Sequence, residues 1–190
     1  MDLMRLDLSH ARTAVETWKR AFPSAGNGRS IQSAGNGLLV PHMYEVLLRL
    51  NIRIGEVYAT SPDFEGVAAW LPPGRVYPSV IQVIMSAPID LLICFLNGGS
   101  DLASELNFQT SMQRRIAPKD HWHLGPIGVD PNYQGQGLAS RLIRPMLERT
   151  DAEGMPIYLD ANSEEAVAIY EHFGFQVKER MKMPGSDFWN

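Results

Sequence analysis

From His121 to Met181 the chain switches repeatedly between the two-residue period of a strand and the 3.6-residue period of a helix. Strands are expected over His121–Val129, Pro156–Ala161 and Phe175–Met181, with helices over Leu138–Thr150 and Glu164–Phe173. This alternation calls for parallel neighbours, because each helix carries the chain back along the sheet. Upstream, Arg53–Ala59 and Gly66–Leu71 read as two more strands around the turn residues Ser61-Pro62-Asp63. Those two form an antiparallel hairpin, so the chain reads as an α/β protein with a mixed sheet flanked by helices.

The rest of the front half reads as helical. Residues 10–22 carry an amphipathic stripe, with Ser9 as N-cap and Pro23 as stop. Pro41 opens a helix through Leu50, and 78–97 and 101–115 follow as helices separated by Asn97-Gly98-Gly99. Residues 24–37 contain SAGNG twice and read as a surface loop, since a solenoid needs longer and more numerous units. A chain of 190 residues with 45% hydrophobic residues suits one domain, 1–190, and no linker divides it.

Seventeen Lys and Arg against twenty-one Asp and Glu leave a net charge of −4, which argues against a nucleic-acid binder. The lone Cys94 rules out an intrachain disulfide and fits a reducing cytoplasm. The first residues, MDLMRLDLSH, lack the basic and apolar runs of a secretory leader. Val80–Leu96 is strongly apolar, but Gln82, Ser86, Pro88 and Asp90 interrupt it, so it reads as a broken buried helix and no membrane span is expected.

The chemistry concentrates in His123–Ser140, where a strand runs through Gly135-Gln136-Gly137 into a helix. Glycines there let the backbone curl tightly, and the unpaired amides of the first helical turn favour an oxyanion such as a pyrophosphate. Two ligand classes use this device, dinucleotides and acyl-CoA. Gly135-x-Gly137-x-x-Ser140 with Asp160 after it comes close to a dinucleotide fingerprint. Against that reading, the third glycine is a serine and only thirty residues follow Asp160.

Gln134-x-x-Gly137-x-Ala139, entered through Val129-Asp130-Pro131 and followed by Ile169-Tyr170-Glu171-His172-Phe173-Gly174-Phe175, resembles the signature elements of the GNAT superfamily of N-acetyltransferases. The likeness covers residues 120–182, and GVAAWLPPG with WHLGPIGV is similar to a broad branch of the same superfamily. It implies a sheet splayed at the cofactor strand, with 120–182 as the acetyl-CoA core and 1–119 as the variable acceptor side. It also implies acetyl transfer from acetyl-CoA to a primary amine of a small molecule or peptide, directly within a ternary complex, and leaves a homodimer open.

By the same resemblance the backbone of Ile127, Gly128 and Val129 holds the pantetheine arm. Gln134, Gly135, Gln136, Gly137, Leu138, Ala139 and Ser140 hold the pyrophosphate, and Arg141 or Arg144 meets an adenosine phosphate. Asn162 or Ser163 stands where many members place an asparagine against the CoA arm, and Tyr170 matches the tyrosine that protonates the leaving thiolate. Packing competes for Tyr170, which shares a helical stripe with Ala166, Ile169 and Phe173. Strand 121–129 has no glutamate for a general base; His123 is the candidate, with His121, Asp120 and Glu65 as neighbours to weigh. His121-x-His123 lacks a cysteine or acid to complete a ligand set, so no metal is expected. With no Gly-x-Ser-x-Gly elbow and Cys94 in an apolar run, no covalent nucleophile is evident. An acyl-CoA-binding module without turnover would share residues 127–140 and need no Tyr170 hydroxyl.

Overall fold

The computed structural model describes residues 2–22, 39–96, 99–161 and 163–181. Its elements are β1 (Met4–Arg5), α1 (Ala11–Ala21), α2 (Leu39–Ile54), β2 (Glu56–Ala59), β3 (Gly66–Leu71), α3 (Val80–Ser86), α4 (Pro88–Leu96), α5 (Gly99–Ile116), β4 (Trp122–Val129), α6 (Leu138–Glu153), β5 (Ile157–Tyr158) and α7 (Glu164–His172). The strands lie in the order β1-β2-β3-β4-β5. Every pairing is antiparallel except β4 with β5, which is parallel. The mixed sheet and the hairpin expected of the sequence are both present, and this order has no place for a second dinucleotide-type half.

The strand GVAAWL of β3 is buried at all six positions, because helices cover both faces of the sheet. On one face Val67 and Ala69 pack with Ala14, Val15 and Trp18 of α1 and with Leu48 of α2. On the other, Ala68 and Trp70 pack with Leu142, Ile143 and Met146 of α6 and with Trp122 and Leu124 of β4. Alternation along β3 therefore assigns its side chains to two separate cores. The indole N–H of Trp18 donates to the Val67 carbonyl at 3.1 Å and fixes α1 across the sheet. α1 also lies against Gly128, where an added Cβ would stand 2.9 Å from Ala21 Cβ and 3.0 Å from Trp18 Cδ1.

Several boundaries differ from expectation. Arg53 and Ile54 finish α2 and do not start a strand. The Gly55 amide closes that helix on the Asn51 carbonyl at 2.8 Å. Helix α1 begins after His10 without a side-chain cap, and Ser9 instead donates to Asp7. Pro23 and residues 24–37 lie outside the described residues, as do Asn97 and Gly98. Strand 156–161 shortens to Ile157–Tyr158, and Phe175–Met181 forms no strand. Residues 176–180 are exposed throughout, so that segment has no apolar face to add to a sheet. It is tied down by ion pairs, Glu179 with Arg115 and Arg180 with Glu164.

The apolar run after Val80 breaks at Ala87-Pro88, as its composition suggests, but it is not buried throughout. Ser86, Ala87 and Cys94 face inward, whereas Ile81, Met85, Ile89 and Leu96 are more than half exposed. No helix among the described residues is long and apolar enough to cross a membrane. Pro145 sits on the exposed face of α6 and the helix runs through it.

The packing at Gly128 carries a stability prediction. Gly128→Ala forces α1 away from β4 and should destabilise the fold by about 1–3 kcal/mol, the usual effect of overpacking. A chain of this size loses about 2–4 °C in melting temperature per kcal/mol. Calorimetry showing an unchanged melting temperature would disprove the close approach.

Candidate active site

The site is organised by the unequal pairing of β4. Against β3 it pairs along its length, from Leu71↔His123 to Gly66↔Val129. Between Ala68 and Trp70 of β3 the partner moves from Ile127 to Leu124, so β4 holds one extra residue around Gly125-Pro126. Such a bulge bends its strand and accommodates a proline that has no N–H to give. Against β5, β4 pairs only at Trp122↔Ile157 and His123↔Tyr158. Beyond His123 the two parallel strands separate. From Gly125 to Val129 the β5 side of β4 has no strand partner among the described residues, an edge that suits an extended ligand with amide groups.

At the far end of β4 the turn is built by Asp130. Its carboxylate accepts from the Asn132 amide at 2.9 Å and from Arg20 Nε at 2.5 Å, and these bonds, the Asn132 amide foremost, hold its pKa below the usual carboxylate range. Gln134 donates to the Val129 carbonyl at 3.2 Å, so this candidate ligand residue also ties the turn to the strand. Gly135 and Gly137 have φ of 76° and 75°, the left-handed region that disfavours side chains. No atom lies within 4 Å of a Cβ built at either glycine. Gly137 caps α6 with no side-chain hydrogen bond, so the first-turn amides around Leu138, Ala139 and Ser140 open onto exposed residues 131–137. Amides arranged in this way suit an oxyanion. The two candidate arginines differ. Arg141 donates to the Thr60 carbonyl at 3.0 Å, binding α6 to the β2–β3 turn, whereas the exposed Arg144 donates to Ser140 Oγ at 2.7 Å.

The other end of the separated strands is polar and enclosed. His121 is 2% exposed, and its Nδ1 lies 2.6 Å from the Pro118 carbonyl. The amide nitrogen of the buried Gln113, on α5, lies 3.1 Å from His121 Nε2 and 2.5 Å from His123 Nδ1. The Tyr158 ring contacts both imidazoles, with centroids 5.8 Å away, and its hydroxyl donates to Asp160 at 2.6 Å. Burial, and secondarily His121, push the His123 pKa down to about 4, so the ring is neutral at pH 7. Burial also raises the pKa of Tyr158, helped by the Asp160 charge, and raises that of Asp160 itself. The described residues contain no group of three or more His, Cys, Asp or Glu placed to hold a metal ion.

Tyr170 lies on α7, half-buried against the cluster of Trp70, Leu124 and Leu142, with its ring edge-on to Phe175 at 5.8 Å. Burial pushes its pKa up to about 12, and its hydroxyl makes no hydrogen bond with a described residue. Phe173 packs in the same cluster, but Ile169 is 52% exposed, so the packed stripe is narrower than the sequence suggests. Ser163 Oγ accepts from the Ala166 amide at 3.1 Å and caps α7. Asn162 lies outside the described residues.

Of the other acids weighed from sequence, Asp120 is exposed. Glu65 accepts from Thr60 and Ser61 in the hairpin turn, next to the Gly66↔Val129 pair and so at the wrong end of β4. Sequence reasoning missed Gln113, Tyr158 and Asp160 as a cluster. Two of them alternate on and just after β5, a weak signal; Gln113 comes from α5 and only the tertiary fold brings it there.

The acetyltransferase (GNAT) family profile matches residues 102–175. An uncharacterised N-acetyltransferase of Schizosaccharomyces pombe is 30% identical over 146 residues, covering 72% of this chain and 57% of the relative. The N-alpha-acetyltransferase RimI of Mycobacterium tuberculosis is 39% identical over 61 residues, 31% of this chain and 37% of that protein. The chain thus spans little more than half the length of the first relative and less of the second. Among solved structures, a histone acetyltransferase HPA2-related acetyltransferase of Corynebacterium glutamicum superposes with a TM-score of 0.62 at 20% identity, covering 99% of this chain and 91% of that one. A polyamine N-acetyltransferase of Drosophila melanogaster superposes with a TM-score of 0.57 at 19% identity, covering 95% and 86%. These two share the fold. The chain belongs to the GNAT acetyltransferase superfamily.

The cap at Ser163 can be tested apart from any ligand. Ser163→Ala should cost about 1 kcal/mol, the usual value of an N-cap, and speed hydrogen exchange in the first turn of α7. Exchange rates there that match the unmodified protein would return Ser163 to the list of free ligand groups.

Proposed function

We propose that this protein is an acetyl-CoA-dependent N-acetyltransferase, a single domain that moves an acetyl group onto a primary amine of a small molecule or peptide. The observation that carries the reading is the separation of β4 from β5 after His123, with an anion cradle at one end of the exposed edge and an enclosed polar cluster at the other. His123 and Val129 are six residues apart, about 20 Å at the rise of a strand. In this reading the backbone of Ile127, Gly128 and Val129 hydrogen-bonds the pantetheine arm. Residues Gln134 to Ser140 take the pyrophosphate, with Arg144 beside them. The acetyl thioester then reaches the split head of the strands.

The amine nitrogen attacks the thioester carbon within a ternary complex, the C–S bond breaks, and the thiolate leaving group takes a proton. Tyr170 suits that last role. Its high pKa keeps the hydroxyl protonated across the neutral range, and no described residue competes for it. His123 stands at the head of the split as the second candidate catalytic residue. A net charge of −4 fits a small or peptide acceptor better than a nucleic acid, and the buried Cys94 fits a reducing cytoplasm. The acceptor side falls to residues 1–119, whose helices border the cluster through Gln113.

Thermal shifts with CoA, acetyl-CoA, NAD and NADP test the ligand class, since a ligand at a hundred times its Kd adds about 2.7 kcal/mol of stability. Stabilisation by a nicotinamide nucleotide and not by CoA would overturn the reading. Thiol release from acetyl-CoA across a panel of amines then identifies the acceptor.

Gly137→Val puts a branched side chain at a left-handed position, straining the backbone by about 1–2 kcal/mol, and places it where the pyrophosphate would approach. Acetyl-CoA affinity should fall at least tenfold, about 1.4 kcal/mol, in a folded protein; calorimetric titration with unchanged affinity would put the phosphates elsewhere. Tyr170→Phe keeps the ring against Leu124 and Phe175 and deletes only the hydroxyl. Turnover should drop by about 10²–10⁴ with little change in acetyl-CoA affinity. Full activity would remove Tyr170 from the chemistry. A folded parent that binds acetyl-CoA and releases no thiol with any amine would favour the binding module.

A further inference from the structure

The hydrogen bonds around Gln113 determine which nitrogen of His123 carries a proton. The Pro118 carbonyl can only accept, so His121 Nδ1, 2.6 Å away, carries a hydrogen. The Gln113 amide nitrogen, which can only donate, stands 3.1 Å from His121 Nε2, so that ring nitrogen is a bare acceptor. The second hydrogen of the same –NH₂ points to His123 Nδ1 at 2.5 Å, which is then also a bare acceptor. A neutral imidazole with a bare Nδ1 carries its hydrogen on Nε2.

We infer that Gln113 is a positioning residue: it locks His123 as the Nε2–H tautomer, so that His123 donates a hydrogen bond to an oxygen of the bound substrates and does not take the proton of the amine. This rests on the acetyltransferase reading for the substrate, but the tautomer rests on the hydrogen bonds alone. The one lone pair of the imidazole is spent on Gln113, and a second proton finds no support. The groups that face His123 are Gln113 from α5, His121 on its own strand and the Tyr158 ring from β5, with the Asp160 carboxylate turned to the Tyr158 hydroxyl. None of these first neighbours is an anion. His123 Nε2 makes no hydrogen bond with a described residue and is left for a ligand. In the reaction the ammonium proton then leaves to water or to another group, and His123 polarises without changing its own proton count.

Long-range ¹H–¹⁵N correlation of the imidazoles reads the tautomers directly in the full chain. At pH 7 the expected result is Nδ1–H for His121 and Nε2–H for His123; Nδ1–H at His123 would overturn the proposal. Gln113→Glu reverses the polarity, since a carboxylate only accepts. His123 then carries its hydrogen on Nδ1, and Nε2 becomes bare and basic. A donor role predicts a fall in kcat of tenfold or more with KM for acetyl-CoA unchanged. A base role predicts that kcat holds or rises, and that result would overturn the donor. If Gln113→Glu does not fold, Gln113→Leu serves: His123 loses its single tautomer and kcat falls with KM unchanged, whereas a preserved Nε2–H tautomer with full kcat would dismiss Gln113. Failure of the acetyltransferase reading looks different. It shows as no thermal shift with acetyl-CoA and no thiol release in the unmodified protein, which would remove the donor's substrate while the opposed tautomers of His121 and His123 still establish the positioning by Gln113.

Discussion

The candidate site depends on β4 having two neighbours that pair with it unequally. β3 holds it from His123 to Val129 around one bulge, with β3 buried on both faces, and this anchors the strand. β5 holds it at two positions only and then leaves. The Gly125-Pro126 bulge contributes by bending β4 at that place, and Pro126 removes an amide that a longer pairing would use. A strand edge left open is ordinarily a liability for aggregation. Here it lies between two covering layers, α1 on one side and α6 with α7 on the other, and Gln134 takes the Val129 carbonyl at its end.

The two ends of that edge are built on different physics. The turn at Gly135 and Gly137 gains nothing from packing, for no atom approaches the vacant Cβ positions, and its left-handed backbone is tolerated only because glycine occupies it. Its geometry is held from behind by Asp130, through the Asn132 amide and Arg20, and by Arg141 on the Thr60 carbonyl. At the other end, Gln113 donates to both His121 and His123, His121 donates on to the Pro118 carbonyl, and Tyr158, packed against both imidazoles, donates separately to Asp160. Buried polar groups need such partners, and a chain of them gives one arrangement a clear advantage over its alternatives.

The C-terminal half was legible in the sequence because its elements are long and periodic and its turn chemistry is explicit. Helix α6 with Gly137 before it, α7 behind Ser163, and the strand ending at Val129 all lie within a few residues of expectation. Two kinds of feature were not legible. Short strands such as Met4–Arg5 and Ile157–Tyr158 have no period to detect, and their existence is decided by which neighbour offers hydrogen bonds. Residues such as Val177 have strand propensity, but 43% exposure at that position shows no second layer to bury them against. In the site, glycines and the signature helix were visible as local chemistry. The state of His123 was not, because it is set by Gln113 on a different element and by a backbone carbonyl three residues before His121.

This contrast orders the consequences of change at the two ends. At the open turn a substitution meets solvent and strains one backbone pair, so its effect falls on whatever anion the amides hold and little on the core. At the enclosed end, truncating Gln113 strands two imidazole lone pairs at once, and the loss propagates to α5 packing, to the His123 proton and to the Tyr158 ring that both imidazoles touch. In the proposed function, ligand affinity and chemical step are therefore separable by position along β4: the Val129 end would govern how tightly a phosphate-bearing arm is held, and the His123 end the hydrogen-bond polarity met by the group it carries. That separation follows from β5 ending its pairing at Tyr158: a longer β5 would close the edge and join both ends into one rigid sheet with no room for a ligand between them.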